Sequence, residues 1–185
     1  MIATETGGAV TDSALARRLR DHALLEGDFV LRSGRRSSYY LDKYRFETEP
    51  VLLRELGEQI ARLVTAHAAD TDRLAGPELG AVALAASASL ASGLPFLIVR
   101  KEAKEYGTER RLEGAFAQGD RVCLVEDIVT TGGAAVAAVR ALRDAGLECR
   151  AAVCVVDREE GGADALAREA VRLHPLFRAR EVLDA

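Results

Sequence analysis

The sequence predicts an α/β fold in which a parallel β-sheet is flanked by helices and preceded by a small N-terminal unit. Three observations predict it. From Asp72 onward, short runs of β-formers alternate with Ala- and Leu-rich segments, the order that parallel strands joined by crossover helices produce. Gly-rich turns punctuate this alternation directly after apolar runs, where a strand hands over to a helix. The 185 residues, with neither an internal repeat nor a linker, suit one domain spanning 1–185, with the N-terminal unit at about 1–48 and the α/β core at about 49–185.

Taken in order, Asp12 or Ser13 can cap a first helix that carries Leu15, Leu19 and Ala23 inward. Extended segments follow at Phe29 to Arg32 and Ser38 to Tyr44. Thr48 and Pro50 start the next helix, in which Leu52, Leu56, Ile60 and Leu63 recur at helical spacing. A strand after Asp72, a Gly-rich turn and an Ala-rich helix come next, then a strand at Pro95 to Arg100 and a charged loop. The strand around Cys123, Leu124 and Val125 leads into a helix from Ala134 to Asp144, and a strand from Cys149 to Val156 continues the alternation. Ligands of such sheets collect at the C-terminal strand ends, where Arg100, Glu126, Asp127, Asp157 and Arg158 all fall.

The run VCLVEDIVTTGGAA, from Val122 to Ala135, carries the most chemistry. An apolar strand empties into two carboxylates and then into a Thr-Thr-Gly-Gly turn ahead of a helix. The helix N-terminus offers unpaired N–H groups and a partial positive charge to a phosphate, and the Thr130 and Thr131 hydroxyls add donors. Glu126 and Asp127 would repel that phosphate, so sugar hydroxyls or a hydrated metal ion suit them better. No Lys follows the glycines, which excludes the ATP-type phosphate loop, and no G-x-G-x-x-G is present.

A second segment, Arg100 to Gly114, reads RKEAKEYGTERRLEG and places five basic and four acidic residues between two strands. A solvated hairpin would look similar. The chain as a whole, however, uses 22 arginines and only three lysines, and two of those, Lys101 and Lys104, sit here. A chain that elsewhere prefers Arg keeps Lys here, which points to a compact, mobile ammonium mattering more at these sites than a planar guanidinium fork.

These segments together resemble the type I phosphoribosyltransferases, and within them the orotate phosphoribosyltransferases. The 122–135 run is similar to the signature for phosphoribosyl diphosphate (PRPP), and RKEAKEYG to the flexible loop. FVLRSGRRSSYYLD resembles the N-terminal hood, GPELGAVALA the diphosphate-binding turn, DREEGG the segment after the fourth sheet strand, and HPLF the C-terminal ending. The resemblance implies transfer of a 5-phosphoribosyl group from PRPP to N1 of orotate, giving orotidine 5′-monophosphate and diphosphate. It implies that Glu126 and Asp127 hold the ribose, and that Ile128, Val129, Thr130, Thr131, Gly132, Gly133 and Ala134 belong to the PRPP site, with residues 130–134 forming the 5′-phosphate loop. By the same resemblance Arg100, Lys101 and Lys104 contact the diphosphate, Lys101 and Lys104 are the loop catalysts, and Thr130 and Arg158 bind orotate. It further implies Mg2+ held mainly through PRPP and water, and a homodimer whose loops close over the neighbouring subunit's site. Three positions depart from the family pattern: Tyr106 stands where many members have His, Leu79 where some have Lys, and Arg32 where several have Lys. A phosphoribosyltransferase for another base, or a PRPP-sensing regulator on the same fold, would share the 126–134 motif.

Composition narrows the remaining classes. A formal charge of −4 runs against broad nucleic-acid binding, and no apolar stretch is long and uncharged enough to span a membrane. The N-terminus MIATETGGAV lacks the basic and apolar regions of a secretory signal, so the cytoplasm is the expected compartment. Cys123, Cys149 and Cys154 read as reduced core thiols, and the scattered His22, His67 and His174 make no metal-ligand pattern.

Overall fold

The computed structural model describes residues 13–30, 34, 36–102 and 111–185, so Asp12, Arg32, Lys104 and Tyr106 lie outside the described residues. The N-terminal unit begins with α1 (Ser13–Ala23), which buries Leu15, Leu19 and Ala23 as its period requires. It continues with β1 (Leu24–Val30) and β2 (Arg36–Leu41), paired antiparallel from Leu24 opposite Leu41 to Val30 opposite Arg36. The extended segment drawn from sequence to Tyr44 stops at Leu41. Asp42 accepts the Tyr44 N–H at 3.2 Å and caps a short helix, α2 (Lys43–Glu47), that the residue pattern does not announce. Thr48 closes α2 instead of opening the next helix: its N–H and its hydroxyl both donate to the Tyr44 carbonyl, at 3.1 and 2.6 Å.

The next helix, α3 (Pro50–His67), is capped by Glu49, whose carboxylate accepts the Leu52 N–H at 2.7 Å. Leu52, Leu56, Ile60 and Val64 face inward, while Leu63 is partly buried. Then follow β3 (Arg73–Pro77), α4 (Gly80–Ser92), β4 (Phe96–Val99), β5 (Leu112–Glu113), β6 (Arg121–Val129), α5 (Gly133–Asp144), β7 (Glu148–Asp157), α6 (Gly162–Arg168), β8 (Arg172–Arg178) and α7 (Ala179–Leu183).

The main sheet has the order β5-β4-β3-β6-β7-β8. Strands β4, β3, β6, β7 and β8 run parallel, as expected, and β5 adds an antiparallel edge against β4 inside the segment read as a charged loop. Alternation along the strands divides the apolar residues between two layers. Cys123, Val125, Val153 and Val155 pack with α1, α3 and α4, whereas Val122, Leu124 and Ala152 pack with α5 and α6. Full burial of side chains such as Leu56, Leu84, Leu124 and Leu142 contributes about 1.5–3 kcal/mol each. The chain leaves β3 toward β4 on one side and later enters β6 on the other, so the β3/β6 junction is the switch point of the sheet, where a crevice opens beyond the strand ends.

Helices α3 and α4 meet at Gly57, where a Cβ would stand 2.7 Å from Ser87 Cβ and 2.8 Å from its carbonyl carbon. The Ser87 hydroxyl uses this contact to donate to the Leu53 carbonyl at 2.8 Å. Gly57→Ala should therefore destabilise the protein by about 1–3 kcal/mol, read as a lowered midpoint of denaturant unfolding, because it forces the two helices apart. An unchanged midpoint would contradict this packing.

Candidate active site

A cleft of about 570 Å³ opens at the β3/β6 switch point. One wall is the end of β6 and the turn after it, Glu126 to Ala135. Another is Pro77 to Gly80, between β3 and α4. Lys43 and Tyr44 of α2 and Lys101 after β4 complete the described lining.

The turn that follows β6 is built by close backbone approach. Gly132 adopts φ of 82° and is the N-cap of α5, and no side chain caps that helix. Its first-turn N–H groups thus face the cleft without a protein acceptor from a cap, an arrangement suited to a phosphate. Gly162 lies against the turn, since a Cβ there would stand 2.6 Å from the Thr130 carbonyl oxygen and would collide with Val129. Thr130, Thr131, Gly133 and Ala134 are exposed to the cleft. The Arg158 N–H donates to the Val129 carbonyl at 2.9 Å and ties the end of β6 to the end of β7.

Glu126 and Asp127 are 7% and 5% exposed, unusually buried for adjacent carboxylates. Asp127 is held at both oxygens. Its Oδ1 accepts the Ile128 N–H at 2.5 Å, and its Oδ2 accepts from the Lys43 ammonium at 2.6 Å. Glu126 Oε1 has no hydrogen-bond partner among the described residues. Burial, reinforced by the Asp127 charge, pushes the Glu126 carboxyl up to about 8. A third acid, Glu47 on α2, is 3% exposed and likewise raised, by burial first and by Asp127 second. Burial opposes the charge on Lys43, yet its hydrogen bond to Asp127 and that group's charge more than offset this and raise its pKa. The end of β6 is therefore less negative than Glu47, Glu126 and Asp127 together imply: near neutral pH, two raised acids sit beside an ion pair. This softens the repulsion that the sequence motif suggests between Glu126, Asp127 and a phosphate.

The remaining sequence-derived residues distribute as follows. Lys101 is exposed and lines the cleft, its N–H donating to Glu78 Oε1 at 2.7 Å, so the end of β3 positions the start of the charged segment. Arg100 is outside the described lining and points a guanidinium nitrogen to within 3.5 Å of Glu113 Oε1. Arg158 is also outside it: its guanidinium lies 5.3 Å from the Tyr39 ring centroid, donates to the Tyr39 hydroxyl at 3.4 Å and stands 3.1 Å from Glu160 Oε1. Lys104 lies outside the described residues. Sequence reasoning missed Lys43 and Glu47. The scarcity of lysine that marked the 100–114 segment was also available for Lys43, the third lysine in the chain. The cysteines are free and buried, and His67 stacks on His174 with ring centroids 4.2 Å apart, away from the cleft.

A model of the phosphoribosyl transferase domain matches residues 45–171. The orotate phosphoribosyltransferase of Methanocella arvoryzae is 48% identical over 173 residues, covering 93% of this chain and 97% of its own. That of Pyrococcus furiosus is 42% identical over 167 residues, covering 90% and 92%. Among solved structures, Mycobacterium tuberculosis orotate phosphoribosyltransferase in complex with PRPP superposes with a TM-score of 0.78 at 30% identity, covering 92% of this chain and 97% of that one. The Aeropyrum pernix enzyme gives 0.81 at 34% identity, covering 92% and 96%. An adenine phosphoribosyl transferase from Trypanosoma brucei, at 15% identity and a TM-score of 0.70, shares the fold alone. With the domain model spanning most of the chain and the relatives matching it nearly end to end, this chain belongs to the orotate phosphoribosyltransferase family.

Proposed function

We propose that the cleft transfers the 5-phosphoribosyl group of PRPP to N1 of orotate, releasing diphosphate and forming orotidine 5′-monophosphate. The observation that carries this reading is the pairing of two buried carboxylates with a side-chain-free helix N-terminus across one short turn. Glu126 and Asp127 accept hydrogen bonds from the ribose hydroxyls, and the 130–134 turn takes the 5′-phosphate. With both ends of the ribose phosphate fixed, C1 is presented to the cations of the 100–114 segment. As the bond to diphosphate lengthens, the sugar gains oxocarbenium character and the leaving group gains charge, which cations meet. Each such preorganised contact is worth about 3–4 kcal/mol in the transition state. Lys101 supplies one, and Lys104 and Arg100 add others once the 100–114 segment closes over the site and excludes water. Arg158, already shielded by Tyr39, offers its guanidinium fork to the orotate carboxylate, with Thr130 as a further donor.

No cluster of three His, Cys, Asp or Glu side chains suited to a metal occurs among the described residues. The orphaned Glu126 Oε1 at the mouth of the strand fits a hydrated Mg2+ that needs few protein ligands. When bound through PRPP and water, that ion neutralises charge on the diphosphate. The outward face of α4 supports a homodimer: Leu79 and Leu90 are 70% and 90% exposed, and Val82, Ala83 and Ala86 lie between them at helical spacing. In such a dimer the lysine segment of one protomer serves the partner's cleft. Unpaired buried thiols suit a reducing compartment, consistent with the cytoplasm. No helix among the described residues is long and apolar enough to cross a membrane.

The reaction is tested by incubating purified protein with PRPP, Mg2+ and orotate, following loss of orotate absorbance and identifying the product by mass. Magnesium-dependent formation of orotidine 5′-monophosphate is expected; conversion of a purine base in its place would overturn the reading. Lys101→Ala should lower turnover about 10²-fold with the fold intact, and near-normal turnover would remove Lys101 from the mechanism. Asp127→Asn should weaken PRPP binding more than orotate binding, as measured by calorimetry. Mixing the inactive Lys101→Ala and Asp127→Asn proteins should restore part of the activity, whereas no recovery after verified subunit exchange would place each loop over its own cleft.

A further inference from the structure

Lys43 lies outside the motifs that carry the family resemblance to PRPP binding, yet it reaches the centre of the cleft. It is the first residue of α2, fixed by the Asp42 cap, and Glu47 lies one turn further along the same short helix. Of 25 basic residues only three are lysines, and the two described, Lys43 and Lys101, both line the cleft. The Lys43 ammonium sits 2.6 Å from Asp127 Oδ2, with side-chain exposures of 33% and 7%. Gly80, at the start of α4, makes room for this contact. A Cβ there would stand 2.8 Å from Lys43 Nζ and 2.9 Å from Glu47 Oε1, and would collide with Asp127 Oδ2. Three elements thus converge on one ion pair, and a missing side chain lets them meet.

We infer that Lys43 is a positioning residue for phosphoribosyl transfer: its ammonium, 2.6 Å from Asp127 Oδ2, holds that carboxylate in one orientation, so that the ribose hydroxyls meet a fixed acceptor. The inference rests on Glu126 and Asp127 being the ribose-binding pair. An ionised carboxylate oxygen has lone pairs enough to accept from the ammonium and from a sugar hydroxyl together. The groups facing the pair are predominantly acidic. Asp42 approaches from the α2 cap, Tyr44 and Glu47 from α2, Glu126 from β6 and Cys154 from β7, and Gly80 of α4 stands beside them. Without the ammonium, Asp127 Oδ2 would lose the partner that fixes it among the neighbouring acids, and the carboxylate would be free to turn away from the sugar.

The test uses the full-length protein with Lys43→Met, Lys43→Gln and Lys43→Arg. Steady-state kinetics with PRPP and orotate are measured alongside PRPP affinity by calorimetry. The Met and Gln variants should raise the PRPP KM by about tenfold to a hundredfold, the range of a lost hydrogen bond to a charged group. Orotate KM should stay close to wild type. Lys43→Arg, which keeps a cation at the Asp127 carboxylate, should recover most of the loss. An unchanged PRPP KM, or a loss that Lys43→Arg does not recover, overturns the inference. If Lys43→Met does not fold, Lys43→Gln, which keeps a donor without the charge, decides the matter by the same criteria. Wild-type protein that binds PRPP but leaves orotate unconverted would overturn the assigned reaction instead, and the Lys43 role would then be decided by PRPP affinity alone.

Discussion

The site depends on burying two consecutive carboxylates, Glu126 and Asp127, at the end of a central strand. Desolvating a charge costs several kcal/mol unless it is paired or neutralised, and the protein uses both remedies. Asp127 is paired with Lys43 and with its neighbour's amide, while Glu126 and Glu47 are pushed toward their protonated forms. This requirement explains why α2 exists where the sequence suggests more strand. It delivers an ammonium and an acid, one turn apart, to the mouth of β6. It also explains Gly80, whose hydrogen leaves the space in which those side chains meet.

The same constraint links the N-terminal unit to the core. A sheet switch point supplies a crevice and a helix N-terminus, which are enough to seat a phosphate, but acidic strand ends in that crevice need a cation. The described residues draw it from a segment 84 positions away in sequence. One contact thus joins hood and core and fixes the carboxylate proposed to bind the ribose. On the other side of the cleft, the Glu78 carboxylate accepts the Lys101 N–H and sets where the lysine-bearing 100–114 segment begins. In the proposed reaction the Lys43 charge serves the sugar, and the lysines of the 100–114 segment serve the leaving group.

Much of this was legible in the chain. The alternation after Asp72 specifies the parallel sheet and its flanking helices, because strands buried on both faces leave long apolar runs such as Val122 to Val125. The 126–134 motif is legible because its chemistry is contiguous: acids, hydroxyls and glycines succeed one another along a single strand, turn and helix. Lys43, Glu47 and the β5 edge were not legible for the opposite reason. Their roles arise from tertiary approach, and a one-turn helix or a two-residue strand has too few residues to show a period. The early end of β2 has a local cause, the Asp42 cap, which competes with the extended pattern of YYLDKY and wins. Arg100 and Arg158 were placed correctly at strand ends, but each is engaged by a neighbouring acid, Glu113 or Glu160, rather than lining the described cleft.

The most direct test of the central claim is a crystal structure of the Lys101→Ala protein with PRPP, Mg2+ and orotate bound. The account predicts ribose hydroxyls on Glu126 and Asp127, the 5′-phosphate against the N–H groups of the 130–134 turn, and the orotate carboxylate at the Arg158 guanidinium. A ribose phosphate seated elsewhere, with Asp127 making no contact to the sugar, would contradict it.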